Sequence, residues 1–217
     1  MDFSLIVPFI PFMLEGIWVT LKFVSMSILI GFILGTLLAM IKIGNNRPLK
    51  WLANAYTSMF RGTPLLVQLM LIYLAIPQLT GYDISAYVSA ILAFGLNSSA
   101  YVSEIIRAGI LAVDRGQTEA AAALGVPYRR MMIDIVLPQA IKNILPALMN
   151  EFITLTKESA IVSVIGYVDL MRRAQIVGAS IYKNFEPLLF IALIYWVMVY
   201  VLTLIGKVIE RRLRASD

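Results

Sequence analysis

Charges are scarce in this chain, and between them the apolar residues gather in blocks near the length that crosses a bilayer. Ile17–Ile41 carries one charge, Lys22; Pro64–Leu79, Ala86–Ile106, Ile135–Thr156 and Pro187–Gly206 follow. About 20 such residues in a helix cross roughly 30 Å of hydrocarbon. In lipid the backbone must satisfy its own hydrogen bonds, which helices do within one segment. The pattern therefore predicts an all-α integral membrane protein with about five transmembrane helices, in a single transmembrane domain over 1–217. Composition agrees: 60% of the 217 residues are hydrophobic and 14% charged, against about 25% charged in soluble domains. Met1–Leu14 has neither a positive n-region nor a small-residue cleavage site. It is expected as an interfacial segment, not a signal peptide.

Lys and Arg in the connections set the expected orientation. Lys42, Arg47, Lys50 and Arg61 lie between the first two blocks. Arg107, Arg115, Arg129, Arg130 and Lys142 lie around the third connection, and Lys207, Arg211, Arg212 and Arg214 follow the fifth block. Five spans put these thirteen of the eighteen basic residues on one side. Met1–Gly16 and Gln78–Ser85 have none. The N-terminus is expected outside and the C-terminus in the cytoplasm. Lys157–Glu186 breaks the count with Arg172, Arg173 and Lys183, and is expected either as a loop or as a segment folded back among the helices. Topology accounts for the net charge of +5 without nucleic acid.

The polar remainder carries the function. With no Cys and no His, thiol nucleophiles, Ser-His-Asp triads and Cys/His zinc sites are excluded. Gln68, Asn97, Ser98, Ser99, Ser103, Asn150, Glu151 and Thr154 fall inside the apolar blocks. Such groups either join helices together or mark a transport path. Asn97 is about 17 Å from Ala86 along a helix, and Glu151 about 18–20 Å from Gln139, so both are expected near the midplane. There Glu151 would meet a cationic group, and the Asn97–Ser99 cluster or free backbone N–H groups a carboxylate. Candidate substrate-binding residues are Glu151, Asn97, Ser98, Ser99, Ser103, Asn150 and Gln68. Glu104 and Arg107 have the spacing of a same-face ion pair, and Lys157 and Glu158 sit at the end of the fourth block. An ATP-driven carrier, an ion-gradient-driven transporter and a channel all fit this belt.

Asp114–Asp134 is the longest polar interlude. Gln117–Leu124 is a run of strong helix formers stopped by Gly125, and Val126-Pro127 starts the next element. Glu119-Ala120-Ala121, three residues, Gly125, nine residues, then Ile135-Val136-Leu137-Pro138 resembles the EAA loop of ABC-importer permease subunits at every defined position. Gly16–Lys22, Arg61–Gln68, Ala100–Ile110, Asn150–Ile153 and Lys157–Ser159 resemble the polar amino acid uptake permeases. Glu158-Ser159-Ala160 departs from the Asp-Thr/Ser-Ser/Leu form more usual there.

The resemblance covers about residues 10–210 and implies the type I importer permease fold. Glu119, Ala120, Ala121 and Gly125 would form a cytoplasmic coupling helix within 114–134, docked on an ATP-hydrolysing subunit. Expected partners are two ATP-binding subunits, a second permease copy or paralogue, an extracytoplasmic solute-binding protein, an amino acid substrate and the lipid bilayer of a prokaryotic cytoplasmic (inner) membrane. The chain has no G-x-x-x-x-G-K-[ST] phosphate loop, so no cofactor is expected here, and ATP and Mg are expected on the partner. Glu151 points to basic amino acids, with glutamine or another polar amino acid as the alternative.

Overall fold

A computed structural model describes residues 2–214; Met1 and 215–217 of the single-domain reading lie outside the described residues. The described residues form helices joined by short turns. They are α1 (Phe3–Ile43), α2 (Arg47–Gly62), α3 (Leu65–Thr80), α4 (Ala86–Leu111), α5 (Arg115–Ala123), α6 (Tyr128–Ile165), α7 (Leu170–Ile181) and α8 (Phe185–Arg214). Helices α1, α4, α6 and α8 are each long and apolar enough to cross a bilayer. The pair α2–α3, bent by 104°, makes a fifth span if counted as one.

The N-terminal segment is not a separate interfacial piece. It begins α1 as a 3-10 turn, Phe3–Phe9, with the Asp2 side chain accepting from Ser4 N–H. Pro8 and Pro11 fall in the first turns, where a missing N–H does little harm. Ile6 and Met13 are buried against Leu170, Ala174, Val177 and Ile191, so packing extends the helix past the block read from sequence. The fourth block also runs on, from Tyr128 to Ile165, and takes in the last residues of the expected 114–134 loop. Its prolines are absorbed locally. A π-turn at Met131–Val136 comes just before Pro138, and another at Leu71–Ala75 just before Pro77. Widening the turn relieves the clash that proline causes in a regular helix. The Gln139 amide donates to the Ile135 carbonyl (3.0 Å) beside it.

Helix α4 is the centre: 67% of its most apolar window is buried, against 11% for α8. It packs against α1 through small residues at four-residue spacing, Ser27, Gly31, Gly35 and Ala39, all buried. A Cβ on Gly31 would lie 2.6 Å from Ser98 Oγ, and one on Gly35 2.8 Å from Val102. Without a hydrophobic drive between helices in lipid, such close backbone approach supplies the packing.

The segment that broke the charge count is held by the protein. Helix α7 packs on α1 and α8, and Arg173 binds Glu15 (2.8 Å) and the Phe12 carbonyl (2.6 Å). Asp169 caps α7 by accepting from Arg172 N–H (2.8 Å) and is fully buried. Burial pushes its carboxyl from the ordinary 3.8 up to about 6, against the opposing pull of its backbone hydrogen bonds. The folded chain thus holds the proton more tightly, and stability falls as pH rises from about 4 to about 6. Asp169→Asn keeps a capping side chain and removes that titration. The thermal midpoint of the variant should be flat over this window and above wild type at pH 7. A variant with the wild-type pH profile would contradict the assignment.

Candidate functional site

The bend between α2 and α3 organises the middle of the molecule. At Gly62-Thr63-Pro64 the helical ladder stops, leaving carbonyls that hydrocarbon cannot satisfy. The Gln68 amide donates to the carbonyls of Phe60 (2.8 Å) and Thr63 (3.0 Å) and to Thr63 Oγ1 (2.9 Å). Asn97 of α4 donates to the Phe60 carbonyl (3.3 Å) and to Gln68 Oε1 (3.0 Å). Ser99 donates to the Leu96 carbonyl (2.7 Å) and shares a 2.7 Å hydrogen bond with Tyr56 of α2. The structure thus brings Gln68, Asn97 and Ser99 together, and binds them to one another and to the bend.

Ser98 points elsewhere on α4. It is fully buried, its Oγ has no hydrogen-bond partner, and it lies within electrostatic reach of the Glu151 carboxyl of α6. Glu151 is half-buried, whereas Asn150 and Thr154 are exposed on α6. Among the described residues no basic side chain pairs with Glu151. Glu158, two turns further along the same face, also acts on it electrostatically. Sequence reasoning placed Glu158 only with Lys157, at the end of the fourth block; the i, i+7 spacing from Glu151 was the available signal. A cleft of about 920 Å³ opens between α4 and α6, lined by Glu104, Gly109, Gln139, Lys142, Asn143 and Ala147 among others, the last about one helical turn from Glu151.

Two cations counted as loop residues are not in loops. Lys42 is 2% exposed and donates to Thr57 Oγ1 (2.9 Å), Ser103 Oγ (3.1 Å) and Glu104 Oε1 (2.6 Å). Arg107 grips the other oxygen of Glu104 (2.7 Å), the pair that the spacing predicted. Ser103 of the expected substrate belt therefore belongs to this knot, tying α1, α2 and α4 together, and donates to the Ala100 carbonyl (2.8 Å). Arg61, the last cation of the first connection, lies instead beside the middle of α4, its guanidinium 5.3 Å from the centre of the Tyr101 ring.

The 114–134 segment folds with the helix and glycine stop that its sequence implies. Asp114 caps α5 through Gly116 N–H (2.6 Å), and α5 ends at Gly125 with φ +70°, where Gly125 N–H meets the Ala122 carbonyl and Val126 N–H the Ala121 carbonyl, both at 3.0 Å. Ala121 is buried in a cluster with Val102 and Ile106 of α4 and Met131 and Val136 of α6, which anchors the helix to both. Glu119 and Ala120 remain exposed, beside Leu124 and Tyr128, 83% and 69% exposed. Among the described residues no cluster of three acidic side chains is placed to hold a metal ion.

Removing one partner of a buried ion pair strands the other charge, at a cost of about 3 kcal/mol. Glu104→Gln strands the buried Lys42 and should lower unfolding stability by about that much, and adding Lys42→Met should recover most of it. A single variant within 0.5 kcal/mol of wild type, as a rough threshold for a neutral surface change, would contradict the knot.

Residues 5–215 match the family described as binding-protein-dependent transport system inner membrane component. The chain is 58% identical over 217 residues to the arginine transport system permease protein ArtQ of Bacillus subtilis, covering 100% of this chain and 99% of that one. It is 50% identical over 206 residues to a putative glutamine transport system permease protein, GlnP, of Rickettsia felis, with 95% and 94% covered. A solved chain from an amino acid ABC transporter with histidines superposes with a TM-score of 0.95 at 48% identity, covering 98% of this chain and 99% of that one.

Proposed function

Because the chain belongs to the binding-protein-dependent transport system inner membrane components, the permease subunits of ABC importers in which a separate subunit hydrolyses ATP, we propose that it moves polar, cationic amino acids across the bacterial inner membrane. Glu151 carries this reading: a carboxylate in the apolar block of α6, beside the cleft, with no basic partner of its own among the described residues. An intramembrane acid of this kind needs a cation, and a substrate can supply one. Glu158 adds a second acid on the same face, which favours a substrate with a basic side chain over one with only an α-ammonium. The likeness to an arginine permease supports that order, and the likeness to a putative glutamine permease makes glutamine the second reading. Glu151, Ser98 and Asn150 are assigned to the path, while Asn97, Gln68, Ser99 and Ser103 hold its frame.

Transport is by alternating access between two packings close in free energy. Helix α5 offers Glu119, Ala120 and the exposed Leu124 and Tyr128 to a groove on the ATPase subunit, and its buried Ala121 passes the motion to α4 and α6. Two ATP-binding subunits sit at the cytoplasmic face, where the C-terminus also lies. A second permease, a copy or a paralogue, completes the enclosure, and an extracytoplasmic binding protein delivers the substrate at the other face, beside the N-terminus.

Charge-assisted hydrogen bonds contribute about 1.5–3 kcal/mol, a factor of roughly 10–100 in affinity. Glu151→Gln should weaken arginine binding to the detergent-purified permease–ATPase complex by that factor, and glutamine binding less. Arginine affinity equal to wild type in a properly assembled variant would overturn the assignment.

A further inference from the structure

Arg61 is a cation in the wrong place for a loop. Its neighbour Phe60 gives its carbonyl to Asn97, and its guanidinium lies over Tyr101, one turn further along α4. Tyr101 is about 22 Å from one end of α4 and about 15 Å from the other, so the charge sits well inside the helical bundle's length. Among the described residues it makes no ion pair or hydrogen bond. Arg61 is exposed on the chain, and a charge at such depth is costly unless it is paired. The C-terminal end of α2 and the Tyr101 face offset part of that cost, and neither occupies the guanidinium N–H fork.

The fork fits a carboxylate bidentately. Two of the three side chains first expected to receive a substrate carboxylate are already engaged: Asn97 with Phe60 and Gln68, Ser99 with Leu96 and Tyr56. Ser98, which faces Glu151, precedes Tyr101 by three residues, so the two side chains are neighbours on α4, about one turn apart. The Arg61 guanidinium and the Glu151 carboxyl therefore flank adjacent positions of one helix, a positive and a negative pole for one amino acid. We propose that Arg61, held over the Tyr101 ring, binds the carboxylate of the transported amino acid. This rests on the reading that Glu151 takes its cationic group.

The test compares arginine with agmatine, the same side chain and amine without the carboxylate, by equilibrium binding to the permease–ATPase complex in nanodiscs. Wild type should bind arginine at least tenfold more tightly than agmatine. Arg61→Gln should bring arginine down to the agmatine level and leave agmatine unchanged, with Arg61→Lys in between. Equal binding of the two ligands by wild type would overturn the proposal. So would an Arg61→Gln variant that keeps wild-type arginine affinity, or one that loses both ligands alike, since a scaffold role predicts the latter. Should Arg61→Gln fail to assemble, argininamide on wild type is the second arm: affinity equal to arginine overturns the proposal, and a tenfold loss supports it. A wild-type complex that binds neither arginine nor glutamine would remove the proposed function itself, an outcome distinct from the failure of Arg61 alone.

Discussion

The break at Gly62-Thr63-Pro64 leaves backbone carbonyls where lipid offers no donors, and the middle of the molecule is arranged around answering them. Gln68 folds back onto Phe60 and Thr63, and Asn97 reaches across from α4 to the same Phe60 carbonyl. That closure fixes the 104° bend, and the bend decides where everything near it points. It turns the end of α2 toward α4, carrying Tyr56 onto Ser99 and Arg61 onto Tyr101. Ser98, between those two positions around the circumference of α4, is left to meet the Glu151 carboxyl of α6. The polar residues in the apolar blocks thus divide into those bound into the frame and those, such as Ser98 and Glu151, left outside it.

Much of the frame was legible in the residues. The apolar blocks gave the spans, since bilayer thickness sets their length. Gly125 marked the end of α5 because a left-handed residue suits glycine, and the Glu104–Arg107 pair followed from helical spacing. Positions that depend on tertiary folding were not legible. Lys42 and Arg61 look like loop cations when counted along the chain, yet the first is buried with Glu104 and the second lies against α4. Linear counting cannot see that α2 leans inward. The ladder of Ser27, Gly31, Gly35 and Ala39 was present in the sequence at a regular spacing, but only the closeness of Ser98 and Val102 shows what it packs against. Asn97 and Gln68, read separately as groups for a substrate, find each other across a turn that no spacing rule connects.

The C-terminal end of α4 joins the frame to α5. There Lys42 binds Thr57, Ser103 and Glu104, locking α1, α2 and α4 into one body. Helix α5 follows α4 after a short turn and is pinned to the same core by Ala121. A push on α5 therefore reaches α4 and α6 through packed side chains instead of through a slack loop. The absence of His and Cys from the sequence suits a permease subunit whose ATP is hydrolysed by a separate subunit.

The central claim is that this chain carries a cationic amino acid using energy from ATP hydrolysed by a partner. The most direct measurement is uptake of labelled arginine by proteoliposomes containing the permease, its ATPase subunits and its binding protein. Accumulation against the gradient should require ATP and persist when ionophores collapse proton and sodium gradients. Uptake that continues without ATP and stops with the ionophores would contradict the account and return the midplane charges to a gradient-driven transporter.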